Sequence, residues 1–170
     1  MNLSRTGMVG LVIVVAVVLQ VAVFNLFSVN GVVPNLALIV VVAAAISRGP
    51  QFGAVVGFTA GLLLDLAPPA DHVAGRWALA LVVVGYLAGR VRQDSSRSTV
   101  GVLVTVAASS FVATSLFALS GMLLRDPAIP VAEALRVIPV ALVYDLLLAP
   151  FVLPPAMRMF RRVRPLQVAY

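Results

Sequence analysis

The sequence predicts an all-α integral membrane protein with six transmembrane helices. Hydrophobic residues make up 62% of the chain and charged residues 11%, whereas soluble domains average about 45–50% and about 25%. The apolar residues form continuous runs of nearly the length that crosses a bilayer, roughly 20 residues. Because these runs do not alternate apolar and polar positions, they indicate helices rather than the strands of a membrane barrel.

Six apolar runs define the predicted helices of a single membrane domain that covers residues 1–170. The approximate ranges are residues 8–27, 34–47, 50–66, 77–91, 99–124 and 138–160. The first run follows Arg5 and is longer than the usual 7–15-residue core of a signal peptide, so we expect an uncleaved membrane helix. The second run is short, which predicts either an extension through Val32 and Val33 or a locally thinner bilayer.

Turn-forming residues separate the later helices. Pro34 and Pro50 suit the first turn of the helices that they open, where a missing N–H is tolerated. Pro68-Pro69 ends the third helix, and the polar stretch 93–98 separates the fourth helix from the fifth. The sixth helix contains Pro150 and Pro154, and the preceding residues 130–136 predict either a surface turn or a short interfacial helix.

The distribution of arginine predicts the orientation in the membrane. All twelve basic side chains are arginine, and cytoplasmic loops of membrane proteins carry an excess of positive charge. With the N-terminus inside, nine arginines lie on the cytoplasmic side and three on the outer side, which places both termini in the cytoplasm. The outer three are Arg76, Arg125 and Arg136, and the inner nine are Arg5, Arg48, Arg90, Arg92, Arg97, Arg158, Arg161, Arg162 and Arg164.

The third predicted helix carries a row of glycines, Gly49, Gly53, Gly57 and Gly61, whose four-residue spacing Asp65 continues. Residues four apart are neighbours on a helix, and small residues in such a row let another helix approach closely in lipid. The row therefore predicts a helix-packing groove. It is filled either by a helix of the same chain or by a helix of a partner protein.

Two acids, Asp65 and Asp145, fall within predicted membrane helices. Charge at membrane depth is unfavourable, so each is a candidate functional residue. One interpretation is a proton or cation path, and the other is a structural carboxylate that bridges or caps helices. The segments Leu64–Pro68 and Tyr144–Pro150 resemble each other, which also suggests a repeat of three plus three helices.

The sequence contains no recognisable catalytic, cofactor-binding or metal-binding constellation. It has no cysteine, and His72, its one histidine, lies beside Asp71 in a predicted outer loop. Nucleic-acid binding is not predicted, because the charges lie between apolar runs instead of forming a stripe. The basic C-terminal segment predicts a cytoplasmic anchor that touches anionic lipid, formed by Arg158, Arg161, Arg162 and Arg164.

Several motifs together resemble one family. The motifs are Pro34-Asn35-Leu36, the glycine row from Arg48 to Asp65, the segment Gly75-Arg76-Trp77-Ala78-Leu79, the segment from Gly85 to Arg90 that includes Gly89, and Pro150 before the basic C-terminus. In this order and spacing they resemble the MreD family of bacterial membrane proteins. Asn35 stands where that family usually has an acid, and Trp77 stands where it often has a polar ring.

The resemblance implies a non-enzymatic scaffold of the bacterial plasma membrane. Such a protein binds an MreC-type partner and supports peptidoglycan synthesis and cell shape together with a RodA-type glycosyltransferase and its transpeptidase. It also implies a fold similar to the substrate-binding subunits of energy-coupling-factor transporters. In this interpretation the glycine row, Asp65, Gly85, Gly89 and Asp145 serve helix packing or partner binding.

Two other functions remain open at this stage. A transporter subunit that binds a vitamin-like molecule would need an outer pocket, for which the available side chains are Asp65, Asp71, His72, Trp77 and Tyr86. A small secondary transporter or channel would use Asp65 and Asp145.

Overall fold

The computed structural model describes residues 3–28, 31–68, 73–91, 98–124 and 131–162. Within these ranges the chain forms six α-helices, a short 3-10 helix and no strand, so the all-α prediction is confirmed. The helices are α1 (Leu3–Ala22), α2 (Leu36–Arg48), α3 (Pro50–Leu66), α4 (Arg76–Arg90), α5 (Thr99–Leu123) and α6 (Val131–Arg162), and the 3-10 helix is Phe24–Phe27.

Two helices are long and apolar enough to cross a bilayer by themselves. They are α5, with 25 residues, and the 27-residue part Arg136–Arg162 of α6, each with a mean hydropathy of 2.1. The apolar helices Thr6–Ala22, Leu36–Arg48 and Pro50–Leu66 are shorter. At 1.5 Å per residue, the 13 residues of α2 span about 20 Å, which is less than the roughly 30 Å of a hydrocarbon core.

The first and last helices differ in extent from the prediction. Helix α1 ends at Ala22, and the Leu26 N–H then bonds to the Val23 carbonyl at 3.1 Å, which tightens the chain into the 3-10 helix. Helix α6 begins at Val131 instead of residue 138 and continues through its internal prolines, so residues 131–136 extend the helix.

Helix α2 is the centre of the fold. All residues from Leu36 to Ile46 are buried, with exposed fractions of 5% or less, and α2 contacts each of the other five helices. A helix that is apolar on every side is stable in such a position. The C-terminal half of α2 contains Ala43, Ala44 and Ala45. Their small side chains let neighbouring helices approach its backbone.

Gly49 alone joins α2 to α3. Its φ of +99° lies in the region that side chains other than hydrogen disfavour, and its N–H closes α2 on the Ala45 carbonyl at 2.7 Å. Pro50 then opens α3 at the position where its missing N–H is harmless. The chain therefore reverses direction within a single residue, and α3 returns alongside α2.

Five of the arginines that the prediction places in the cytoplasm lie at one end of the bundle. The Arg48 guanidinium lies 4.0 Å from the centre of the Phe52 ring, and Phe52 packs edge-on against the buried Phe160 with ring centres 5.9 Å apart. The end of α4 meets the start of α3, because Gly89 lies against Pro50. We call this the basic end, and its described arginines are Arg48, Arg90, Arg158, Arg161 and Arg162.

Candidate functional site

The glycine row of α3 faces α4 of the same chain. A methyl group added to Gly53 would lie within 3.0 Å of the Gly85 carbonyl oxygen, and one added to Gly61 would lie 2.5 Å from the Ala78 Cα atom. A methyl group on Gly57 would meet the Leu81 carbonyl carbon at 2.6 Å. The backbones of the two helices therefore touch along this seam.

The contact is reciprocal on the α4 side. A methyl group on Gly85 would lie 2.5 Å from the Gly53 carbonyl carbon, and one on Gly89 would lie 2.7 Å from the Gly49 carbonyl carbon. We call this arrangement, formed by Gly49, Gly53, Gly57, Gly61, Gly85 and Gly89, the glycine seam. Because α4 fills the groove, no helix of a partner protein can occupy it while α3 and α4 stay together.

Asp65 lies at the far end of the seam and caps α4. Its side chain is 3% exposed and accepts hydrogen bonds from the backbone N–H groups of Gly75 at 2.9 Å, Trp77 at 3.1 Å and Ala78 at 3.0 Å. The first N–H groups of a helix have no partner within the helix, and the helix dipole favours negative charge there. Asp65 thus supplies the cap of α4 from the neighbouring helix.

Arg76, which sequence reasoning placed in an outer loop, is buried between α4 and α5. Only 2% of the residue is exposed, and its guanidinium donates to the Phe117 carbonyl at 2.7 Å. The guanidinium also lies 3.9 Å from the centre of the Phe117 ring, on which Trp77 stacks at 4.5 Å. Gly121 makes room for it, since a methyl group there would lie 2.8 Å from the Arg76 Cζ atom.

Asp145 joins α6 to the start of α2 and to α5. It is 1% exposed; one carboxylate oxygen accepts from the Asn35 backbone N–H at 2.7 Å, and the other accepts from the Ser110 hydroxyl at 2.6 Å. Burial of an acid in an apolar interior requires such partners. Asp145 therefore ties three helices together at one point.

Two further side chains complete the cap of α2. The Asn35 side-chain oxygen accepts from the Leu38 N–H at 2.9 Å, which is the usual bond of an N-cap residue. The Gln20 side-chain oxygen reaches from α1 and accepts from the Ala37 N–H at 2.9 Å. Helix α2 begins deep in the bundle, where water cannot satisfy these groups, so α1, α6 and the N-cap do so instead.

The two carboxylates thus perform the same task at two different helices. Each accepts backbone N–H groups at the start of a helix that opens inside the protein. Among the residues that the structure describes, no three histidine, cysteine or acidic side chains form a group that could hold a metal ion. The geometry fits the structural interpretation of Asp65 and Asp145, and each acid is attached to a different helix.

Sequence reasoning missed Gln20, Asn35, Ser110 and Arg76 as members of these networks. Gln20 is the one polar side chain within the apolar run Met8–Phe24, and a polar group at membrane depth indicates a structural or functional role. Asn35 directly precedes a helix, which is the position of an N-cap residue. The sequence holds no comparable signal for Ser110, because neighbouring serines and threonines are equally plausible partners.

Of the five side chains considered for an outer ligand pocket, the structure describes Asp65, Trp77 and Tyr86, and these three have different surroundings. Asp65 is engaged with the start of α4, and Trp77 stacks on Phe117. Tyr86 is 44% exposed and lies one turn before Arg90, towards the basic end. Asp71, His72 and Arg164 lie outside the described residues. Arg158, Arg161 and Arg162 are exposed at the end of α6, as an anchor requires.

These features define a small helical membrane protein whose buried polar side chains hold its own helices together. The chain belongs to the MreD family, because the family model described as "rod shape-determining protein MreD" matches residues 2–162. This is a family of membrane proteins with a role in determining rod shape. No curated protein and no solved structure matches the chain, so similarity to the energy-coupling-factor subunits stays a prediction.

Proposed function

We propose that the chain is a non-enzymatic scaffold of the bacterial wall-elongation complex. It spans the plasma membrane six times with both termini in the cytoplasm, binds an MreC-type partner and supports peptidoglycan synthesis by a RodA-type glycosyltransferase and its transpeptidase. The observation that carries the proposal is the match of the family model over nearly the whole chain.

The distribution of side chains supports the membrane placement. Large apolar residues are exposed on α1, α3, α4, α5 and α6; examples are Leu11, Val55, Leu79, Val104 and Phe151. A monomer in water rarely exposes so much apolar surface, whereas lipid is a suitable solvent for it. The arginines of the basic end then lie at the cytoplasmic surface, in agreement with the positive-inside rule.

The contacts of the polar side chains support a scaffold function. Asp65 and Asp145 are both occupied by backbone groups of their own chain, and the glycine seam is filled by α4. Among the described residues, the exposed helix surfaces carry many large apolar side chains, which suit contact with the membrane helices of partner proteins.

Co-purification tests the proposal most directly. An affinity-tagged chain is expressed with the MreC-type protein of the same bacterium and extracted in mild detergent. We expect the two proteins to elute together in constant ratio, while an unrelated polytopic protein with the same tag retains none. Depletion of the chain is expected to turn rod-shaped cells round. Separate elution at every detergent tested, with normal shape after depletion, would refute the proposal.

A further inference from the structure

A cleft lies between α4 and α5, near the basic end. The cleft has a volume of about 400 Å³, and its lining is apolar except for Thr105 and Ser109. The lining residues are Val84, Leu87, Ala88 and Val91 of α4 and its C-cap, and Gly101, Val104, Thr105, Ala108, Ser109 and Val112 of α5. We call it the α4–α5 cleft.

The cleft follows α5 from Gly101 to Val112, which is about 17 Å at 1.5 Å per residue. Its length and its volume of about 400 Å³ leave room for an elongated apolar molecule.

The chemistry of the lining favours hydrocarbon over peptide. An extended peptide would bring one N–H and one carbonyl per residue, and these need partners when they are buried. The Thr105 hydroxyl already donates to the Gly101 carbonyl at 2.8 Å, which leaves Ser109 as the other polar side chain of the lining. The cleft opens sideways between Leu87 and Val104, which are 47% and 61% exposed, so a lipid can enter from the bilayer.

The charge at the mouth of the cleft favours an anionic headgroup. Arg90 is exposed and directly precedes the lining residue Val91. Helix α5 begins at the same mouth. The Ser98 hydroxyl oxygen there accepts from the Gly101 N–H at 3.0 Å, and the remaining N–H groups of the first turn favour an anion.

We propose that the α4–α5 cleft binds one acyl chain of an anionic diacyl phospholipid, with the lipid phosphate at Arg90 and the first turn of α5. The cleft is thereby a specific lipid site at the cytoplasmic leaflet, in addition to the general contact of the basic end with the membrane. This site rests on the proposed membrane placement and is independent of any MreC-type partner.

Native mass spectrometry of the full chain tests this site. The protein is reconstituted in nanodiscs of equal phosphatidylglycerol and phosphatidylethanolamine and then released into detergent. We expect the wild-type chain to retain one phosphatidylglycerol. Ala108→Phe fills the cleft and should abolish retention. Arg90→Gln should lower the preference for phosphatidylglycerol about fivefold, since one basic residue near an anionic headgroup contributes about that factor.

Matched variants separate the site from general effects. Thr59→Phe adds the same ring to an exposed position of α3, and Arg136→Gln removes an exposed arginine at the other end of the bundle; both should retain the lipid. Thermal unfolding in detergent shows whether each variant is folded. If Ala108→Phe does not fold, Arg90→Gln still tests the site. Ser109→Ala removes a hydroxyl that an acyl chain does not use, so it should leave retention unchanged.

Three results would overturn the proposal. The wild-type chain would retain no lipid, or both lipids equally, or the folded Ala108→Phe variant would retain as much as the wild type. Cross-linking of Ala108→Cys to a partner protein, weakened by Ser109→Ala, would assign the cleft to a protein instead. Because these measurements use the isolated chain, their failure leaves co-purification with an MreC-type partner unaffected, and failure of that co-purification leaves the lipid site unaffected.

Discussion

Replacement of Gly57 by alanine tests the glycine seam with the smallest possible change. The new methyl group would lie 2.6 Å from the Leu81 carbonyl carbon, and ordinary van der Waals contact begins at 3.4 Å. Helix α4 must therefore withdraw by about 0.8 Å at this point, and a gap of that size forfeits a quarter to a half of each neighbouring dispersion contact. Overpacking of this kind typically costs about 1–3 kcal/mol.

Alanine also favours the helical backbone over glycine by about 1 kcal/mol, so the net loss for Gly57→Ala is up to about 2 kcal/mol. For a chain of this size each kcal/mol lowers the midpoint of thermal unfolding by about 2–4 °C. Gly10→Ala on α1 is the matched control, because a methyl group there meets nothing within 4 Å. Its midpoint should be unchanged or higher.

The assay is thermal unfolding of both purified variants in the same detergent, followed by size-exclusion chromatography. We expect Gly57→Ala to unfold at a lower temperature than the wild type, and Gly10→Ala to unfold at the same or a higher temperature. Equal midpoints for the two variants would show that α3 and α4 do not touch at Gly57, and the description of the seam would be wrong.

The same unfolding assay tests the caps. Asp65→Ala leaves the backbone N–H groups of Gly75, Trp77 and Ala78 without their acceptor. Because the bond from Ala78 is buried and the other two are part-buried, the loss should be about 1–3 kcal/mol or more; Asp65→Asn, which keeps one side-chain oxygen, should lose less. Asp145→Ala should be more destabilising than Ser110→Ala, because it frees the Asn35 N–H as well as the hydroxyl; equal losses would contradict this. Gln20→Leu should cost about 1–3 kcal/mol although it makes α1 more apolar, and a gain in stability would refute the cap from α1.

The glycine seam and the two acids could be predicted from the sequence, because spacing and membrane depth constrain them. Four glycines at intervals of four residues specify a face of one helix whatever packs on it. An acid within an apolar run requires a partner. The similar segments around Asp65 and Asp145 share a task, the capping of a buried helix start, and the three-plus-three repeat stays a prediction.

The central position of α2 and the burial of Arg76 could not be predicted. An apolar run such as Leu36–Ile46 reads the same whether lipid or other helices surround it, so hydropathy does not distinguish core from surface in a membrane. Arg76 was counted as a loop charge because its partner, the Phe117 carbonyl, lies 41 residues away. The start of α6 was missed because residues 130–136 predict either a surface turn or a short interfacial helix, while the structure continues one helix from Val131 through Pro139.

The orientation of the bundle is the central claim, and labelling of single cysteines tests it most directly. The chain has no cysteine of its own, so Ala74→Cys before α4 and Ser98→Cys before α5 each introduce one thiol, at opposite ends of α4. With a membrane-impermeant thiol reagent, we expect Ala74→Cys to react in intact cells and Ser98→Cys to react only after the plasma membrane is broken. The reverse pattern, or reaction of both thiols in intact cells, would contradict a membrane-spanning bundle whose basic end faces the cytoplasm.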